Sequence, residues 1–278
     1  MHEEHGAAWR TLEALATLCS AVTPGQRCPH CESKGLHKWG RFADRQRYRC
    51  LACRRTFSDL TRSPAAYSKR IELWPQFVEC MRGALPLRLC AALLKISLST
   101  AFRWRHAILS AARQADDTTL SGRVELDELR MAHSMKGSRC LDRPPRVRGA
   151  RQRDPLLFRT RRICVVIAQD QHSRTYSQHV DARNLRSEDV CSVLLPRLRK
   201  PLTIVSARGP YGCHAILARA AEAVFHTAFP QIDQQLRAVT DFRKRILSFL
   251  RPFRGVATKY LDNYLRWHRV LEAPGARL

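Results

Sequence analysis

Arg123-Val124-Glu125-Leu126-Asp127-Glu128-Leu129-Arg130-Met131 is the stretch on which the fold turns. Val124, Leu126 and Leu129 give it an apolar, strand-like frame. Asp127 and Glu128 interrupt that frame. A carboxylate inside a buried strand is costly unless it is paired or binds a metal. Asp127 is therefore the first candidate functional residue, and its partners decide what it does. The strand is expected over Gly122 to Met131.

The rest of the chain brackets this strand with positive charge. Of 278 residues, 49 are Lys or Arg and 24 are Asp or Glu, a formal net charge of +25. A balance this basic implies a polyanionic partner, unless an Arg-rich coding bias is its sole cause. Hydrophobic residues make up 45%, which excludes a disordered chain. No apolar run reaches the ~20 residues that span a bilayer, and no membrane partner is expected. Met1-His2-Glu3-Glu4-His5 lacks the pattern of a signal peptide. A cytoplasmic protein is expected, in which the eleven cysteines are thiols or metal ligands rather than disulfides.

Four cysteines stand apart: Cys28-Pro29-His30-Cys31 and Cys50-Leu51-Ala52-Cys53, with eighteen residues between the pairs. Four thiolates from two such knuckles complete a closed tetrahedral site, the arrangement of structural zinc. His30 and His37 are alternative ligands. Between the knuckles, Lys38 to Phe42 and Gln46 to Cys50 alternate as strands. A zinc ribbon is expected over 25–60, covered by Lys34, Lys38, Arg41, Arg45, Arg47, Arg49, Arg54 and Arg55. An amphipathic helix over 1–24 precedes it, with Trp9, Leu12, Leu15, Ala16 and Leu18 on one face. A linker over 56–68 follows.

Residues 69–115 read as helices. Ile71 to Met81 form one and Leu87 to Leu94 a second. Thr100 to Leu109 form a third, with Ser99 as its N-cap. Helix, short turn, helix fits a helix-turn-helix, and it equally fits an ordinary helical linker bundle. In the first case Ser99, Thr100, Arg103 and Arg105 are placed to meet phosphates or base edges. Phe102 and Trp104 cannot both enter the core at their spacing. Asp116 to Thr119 form a linker. After the central strand, residues 133–160 carry a basic loop with Lys136, Arg139, Arg146 and Arg148. It is either a solvated face or a phosphate-gripping loop.

The remaining order is strand (Arg161 to Ala168), turn (Asp170 to Ser173), strand (Thr175 to Val180), helix (186–199), strand (Leu202 to Ser206), and helices over Tyr211 to Val224 and Leu236 to Leu250. That succession implies a mixed sheet with helices packed on it. The fold class is multidomain α+β.

Five blocks carry a family resemblance: Cys28 to Cys31; Gln46 to Phe57; Thr100 to His106; Val124 to Glu128 with Lys136-Gly137; and Phe253-Arg254-Gly255-Val256-Ala257-Thr258-Lys259-Tyr260-Leu261. On these blocks the chain resembles bacterial insertion-sequence transposases with a zinc ribbon, a helix-turn-helix and a ribonuclease-H-like DDE-type catalytic domain, here over 120–272. The resemblance implies binding of double-stranded DNA, both the terminal inverted repeats of an element and target DNA. It also implies a homo-oligomer on that DNA, a nucleoid-associated location, and Lys259 among the DNA-facing residues. It implies Mg²⁺ or Mn²⁺ held by three polar residues for DNA cleavage and strand transfer.

The first of those three residues matches Asp127. The second, an Asp, falls where this chain has Arg208. The third falls at Thr240, with Asp241 beside it as a substitute one residue along, and a family lysine would fall near Leu247. Arg208 brings positive charge to a cation site and cannot deprotonate. The resemblance therefore implies an impaired transposase. Its rivals are a zinc-dependent DNA-binding repressor derived from a transposase, and an active enzyme with a relocated carboxylate. A salt bridge between Arg208 and Asp127 is a further expectation, one that would turn a metal site into a structural one. Asp170 and Asp181 are acids of the right type, but they read as turn and surface carboxylates.

Overall fold

The computed structural model describes residues 27–42, 45–62, 65–66, 68–112, 118–141, 162–180, 184–207, 209, 211–228 and 236–272. The expected helix over 1–24, Asp116 and Asp117 of the expected linker, most of the basic loop, Arg146, Arg148, Asp181 and Arg208 lie outside them. The chain divides into two compact units, one of Met1–Asp116 with Val270–Leu278, the other of Asp117–Arg269. Among the described residues it is mixed α+β, with seven α-helices and two sheets. No described helix is long and apolar enough to cross a membrane.

The first unit opens with a three-stranded antiparallel sheet of β1 (Leu36–Phe42), β2 (Arg45–Cys50) and β3 (Thr56–Ser58), in that order. Its core is small: Cys28, Cys50 and Phe57 are buried, with Leu36, Tyr48 and Cys53 packed against them. Three helices follow: α1 (Trp74–Arg82), α2 (Leu87–Leu93) and α3 (Leu98–Ala112). The α3 helix starts two residues earlier than the sequence suggests. Ser97, not Ser99, accepts the Thr100 N–H at 3.1 Å and caps it. Trp104 takes the inward place, packed on Trp74 and Phe77, which leaves Phe102 at the surface.

In the second unit the strand order is β6-β5-β4-β7-β8. The strands are β4 (Leu120–Ala132), β5 (Arg162–Asp170), β6 (Thr175–Val180), β7 (Leu198–Ser206) and β8 (Val224–Thr227). β4 is central. It pairs antiparallel with β5 and parallel with β7, so Asp127 faces Ile167 across the ladder and Leu126 faces Ser206. Helices α4 (Ser187–Leu194) and α5 (Cys213–Ala220) make the two crossovers. They bury the face that carries Val124 and Leu126. The period-2 alternation of β4 turns Glu125, Asp127 and Leu129 to the opposite face. There α6 (Arg237–Leu250) packs through Val239, Phe242, Ile246 and Leu250. At its start α7 (Leu261–Glu272) holds the edge strand β6, because the Asp262 carboxylate accepts the His179 backbone N–H and pairs with its ring, both at 2.8 Å.

Two expectations change here. The helix expected over Tyr211 to Val224 ends at Ala220, and Val224–Thr227 is the edge strand β8. The helix expected over 186–199 ends at Leu194 with a 3₁₀ turn, because β7 already begins at Leu198. Asp170 is a turn residue. It is buried, and its carboxylate accepts the backbone N–H groups of His172 and Arg174 and the Arg174 side chain at 2.7–2.9 Å.

Opposite the start of β4, β7 carries two extra residues, Lys200 and Pro201: Ser121 pairs with Arg199, but Gly122 pairs with Leu202. Gly122 has φ +69°. A Cβ there would sit 2.5 Å from the Gln171 side-chain nitrogen. Gln171 is itself fixed by donating its backbone N–H to Arg123 O. Gly122→Ala is therefore expected to destabilise the second unit by about 1–3 kcal/mol through left-handed strain plus the clash. Gln171→Ala in the same background is expected to restore only the clash component. Chemical denaturation of the native chain and the two variants measures both. No loss in Gly122→Ala would contradict the assigned backbone.

Candidate functional site

The four expected cysteines converge. All four sulfurs lie within 4.8 Å of one another. Cys28 Sγ is 3.6 Å from Cys53 Sγ, and Cys31 Sγ is 3.5 Å from Cys50 Sγ. Zinc–sulfur bonds of about 2.3 Å give a tetrahedron with edges of about 3.8 Å, so the sulfurs stand close to a zinc-bound arrangement. The two knuckles share one backbone design. Glu32 N–H donates to Cys28 O as Arg54 N–H donates to Cys50 O. Cys28 N–H donates to Ser33 O as Cys50 N–H donates to Arg55 O. Glu32 and Arg54 each turn the chain at positive φ, 61° and 58°. The His30 N–H points at Cys28 Sγ and the Cys53 N–H at Cys50 Sγ, 3.4 and 3.5 Å away.

Such N–H···S bonds favour thiolates. The Cys53 N–H is the main cause that brings the Cys50 thiol down to about 6. Cys31 moves the other way, up to about 12: the Ser33 N–H lowers it, but burial and the neighbouring sulfurs together outweigh that pull. Crowded sulfurs cannot all ionise without a cation among them. The donor set thus fits zinc, and zinc would supply the folding energy that the small core lacks. Among the described residues no other group of three or more His, Cys, Asp or Glu ligand atoms converges in this way.

Among the described residues, the acids of β4 meet a helix N-terminus and arginines. Glu125 is buried and reaches the N-terminus of α6, where its Oε2 accepts the Val239 N–H at 3.0 Å. No residue of α6 caps that end from within, so the strand supplies the negative charge that the helix dipole favours. Burial is the largest influence on Glu125 and pushes its carboxyl above the usual range, against the lowering pull of the Val239 N–H, Arg123 and the Ala238 N–H. Glu128 lies on the other face and pairs with Arg130 at 2.8 Å.

Asp127 accepts the Glu128 N–H on Oδ1 at 2.8 Å and Arg243 Nη1 on Oδ2 at 3.2 Å. Its side chain is 29% exposed and that of Arg243 is 43%. At that exposure the pair contributes on the order of 0.5–1 kcal/mol, so its weight is chemical rather than structural. These surroundings do not fit Mg²⁺ or Mn²⁺. One carboxylate oxygen is taken by a backbone N–H, the other by a permanent cation.

Asp241, expected as a catalytic substitute, points elsewhere. Its carboxylate pairs with Lys244 at 2.9 Å and Arg237 at 4.0 Å, and Lys244 draws its carboxyl below the usual range. A helix turns about 100° per residue, so a one-residue slip moves a side chain off the face that meets β4. Arg243 is that face's occupant, three residues beyond the exposed Thr240. Sequence reasoning missed Arg243. The inward series Val239, Phe242, Ile246 was the available signal, because it places 243 along the rim against the sheet. Leu247, at the position of the expected lysine, lines an apolar cavity of about 190 Å³ with Met131, Ile163 and Leu261.

The expected DNA-facing residues divide. Ser99, Arg103, Arg139 and Lys259 are exposed, Thr100 is half-buried, and Lys259 lies 4.9 Å over the Tyr260 ring. Arg105 is fully buried, with its guanidinium on Leu85 O and, at 3.4 Å, Cys90 Sγ. It joins α3 to the α1–α2 turn instead of facing DNA. Lys136 donates to Phe253 O at 2.9 Å and Gly255 O at 2.8 Å. Ser134 and Thr258 bond each other at 2.8 and 2.9 Å. The Lys136-Gly137 and Phe253–Leu261 blocks are thus brought together, and Lys136 clamps the loop after α6.

The chain is similar to the "Uncharacterized protein in transposable element ISH50" of Halobacterium salinarum, 28% identical over 251 residues, covering 87% of this chain and 83% of that protein. It is therefore related to a transposable-element protein. No protein-family model matches it. Among solved structures it aligns with a chain of the simian T-cell lymphotropic virus intasome in complex with PP2A regulatory subunit B56 gamma, covering 70% of this chain and 67% of that one at 9% identity. The TM-score of that alignment is 0.36.

Removing zinc with a chelator is expected to unfold the ribbon while the circular dichroism of the second unit persists; an unchanged ribbon proteolysis pattern would refute it. Metal must displace protons from the site, chiefly from Cys31. Zinc affinity is therefore expected to rise with pH, more steeply below about 6, where Cys50 must also lose its proton, and through Cys31 above that, as competition titration measures. Glu125 gives a second pH test. Its folded carboxyl titrates above the unfolded value, so its favourable contribution is complete below the unfolded pKa and is lost as pH rises through the folded one. Relative to Glu125→Gln, the native chain should lose stability as pH rises out of the ordinary glutamate range. A pH-independent difference in Tm would contradict this.

Proposed function

We propose that this chain is a DNA-binding protein of insertion-sequence transposase descent whose strand-transfer centre is impaired. A zinc ribbon and a helix-turn-helix formed by α2 and α3 hold the terminal inverted repeats of an element. The second unit, a ribonuclease-H-like domain, adds basic surface without metal-dependent cleavage. The ion pair between Arg243 and Asp127 carries this reading: a guanidinium occupies the carboxylate that a divalent cation needs. Two unit charges of like sign about 4 Å apart repel by about 1 kcal/mol in water and ~4 kcal/mol near a protein surface, and a divalent ion doubles that. In the sequence, Arg208 stands where the resemblance expects the second acid. The relation to a transposable-element protein, the central place of Asp127 in a mixed sheet and the net charge of +25 support the descent. The protein works in the cytoplasm on double-stranded DNA, as a homo-oligomer that joins two element ends.

The test is a pair of assays on the zinc-loaded protein with its element's terminal repeats. Gel shift is expected to show repeat-specific binding that weakens steeply with salt. Nicking and strand transfer with Mg²⁺ or Mn²⁺ are expected to stay at the level of the Asp127→Ala variant. Cleavage that Asp127→Ala abolishes would overturn the impaired centre.

A further inference from the structure

The zinc ribbon carries a surface that its metal does not explain. In β1, Lys38 pairs with Tyr48 and Arg41 with Gln46. Trp39 and Gly40 therefore stand together opposite the single residue Arg47, a β-bulge, with Gly40 at φ +71°. A bulge shifts the alternation of a strand by one. His37 and Trp39 before it, and Phe42 after it, consequently share one face of the sheet. Phe42 pairs with Arg45 and His37 with Arg49, so Arg45, Arg47 and Arg49 of β2 form a parallel row on that face. The other face holds Leu36, Tyr48 and Phe57 against the cysteines.

This outer face is open. Trp39 is 44% exposed and Phe42 67%. The Arg49 guanidinium lies 4.5 Å from the centre of the Trp39 ring, and His37 meets the same ring edge-on. Arg47 is held toward Thr56 by a 3.0 Å hydrogen bond. The acid given to the arginine row is Asp59, paired with Arg45. An aromatic row beside a cationic row suits one polyanion in particular. Duplex DNA offers phosphates to the arginines but keeps its base faces stacked inside. An unpaired strand offers both, with bases to stack on the rings and phosphates for the guanidinium groups.

We infer that the outer face of the ribbon sheet is a single-strand binding site, with Trp39 and Phe42 stacking unpaired bases and Arg47 and Arg49 holding the backbone. It deepens the DNA-binding reading by giving the ribbon a ligand class different from that of the helices. Gly40 is part of the device, because without the bulge Phe42 would turn to the zinc side.

The zinc-loaded full chain is titrated with fluorescein-labelled oligothymidylate and with a duplex of equal length. In Trp39→Ala/Phe42→Ala, single-strand affinity is expected to fall at least roughly tenfold, and duplex affinity by no more than about twofold. Trp39→Phe keeps a stacking ring and is expected to retain most of the binding. Equal losses on both DNAs, or none, in a variant with full zinc content would overturn the site. A wild-type experiment needs no variant: photocrosslinking of an oligonucleotide bearing 5-iodouracil. A crosslink at Trp39 or Phe42 supports the site, and crosslinks confined to other segments overturn it. Single-strand binding that persists where the wild-type chain shows no duplex binding would sink the element-end reading and leave this one standing.

Discussion

The Glu125 carboxylate on the N-terminus of α6 sets the geometry of the second unit. It sits on the central strand and caps a helix that has no cap of its own. One acid thereby fixes where α6 begins and how it is rotated over β4 and β5. Once Val239 is held there, Phe242, Ile246 and Leu250 follow at helical spacing into the sheet, and Arg243 is delivered to Asp127. The pairing at Asp127 is a consequence of that docking. The helix dipole and the Val239 and Ala238 N–H groups offset part of the cost of burying the Glu125 carboxylate, and burial still holds its carboxyl above the usual range.

The same strand also explains why the fold does not depend on Asp127. The sheet needs its central strand filled, and Val124, Leu126 and Leu129 do that whatever becomes of Asp127. The Lys136 clamp on the 253–255 carbonyls and the Ser134–Thr258 bonds need no metal either. An element protein that loses its acids can therefore keep its architecture. The four-cysteine sheet is the reverse case: its few core side chains would leave a metal ion such as zinc to hold it together.

Sequence alone made some of this legible and hid the rest for physical reasons. The cysteine knuckles were readable because four soft ligands at that spacing have few other uses. The strands flanking Asp127 are legible as short, nearly continuous apolar runs. Edge strand β8 was not: Val224–Thr227 is four residues long and follows a helix without a Gly or Pro stop. Arg105 looked like a DNA contact because it is charged, yet it shares the stripe of Ala101, Trp104 and Ile108, and all four are buried. Arg243 is not legible beside Asp127 in the sequence, because the helix rotation fixed by Glu125 is what brings this base to the strand.

The measurement nearest the centre of these conclusions is Mn²⁺ binding to the zinc-loaded full chain, followed by electron paramagnetic resonance and compared with Asp127→Asn. With Arg243 on the Asp127 carboxylate, the expected result is weak, non-stoichiometric binding that is the same in both proteins. One tightly bound Mn²⁺ per chain, lost in Asp127→Asn, would contradict it.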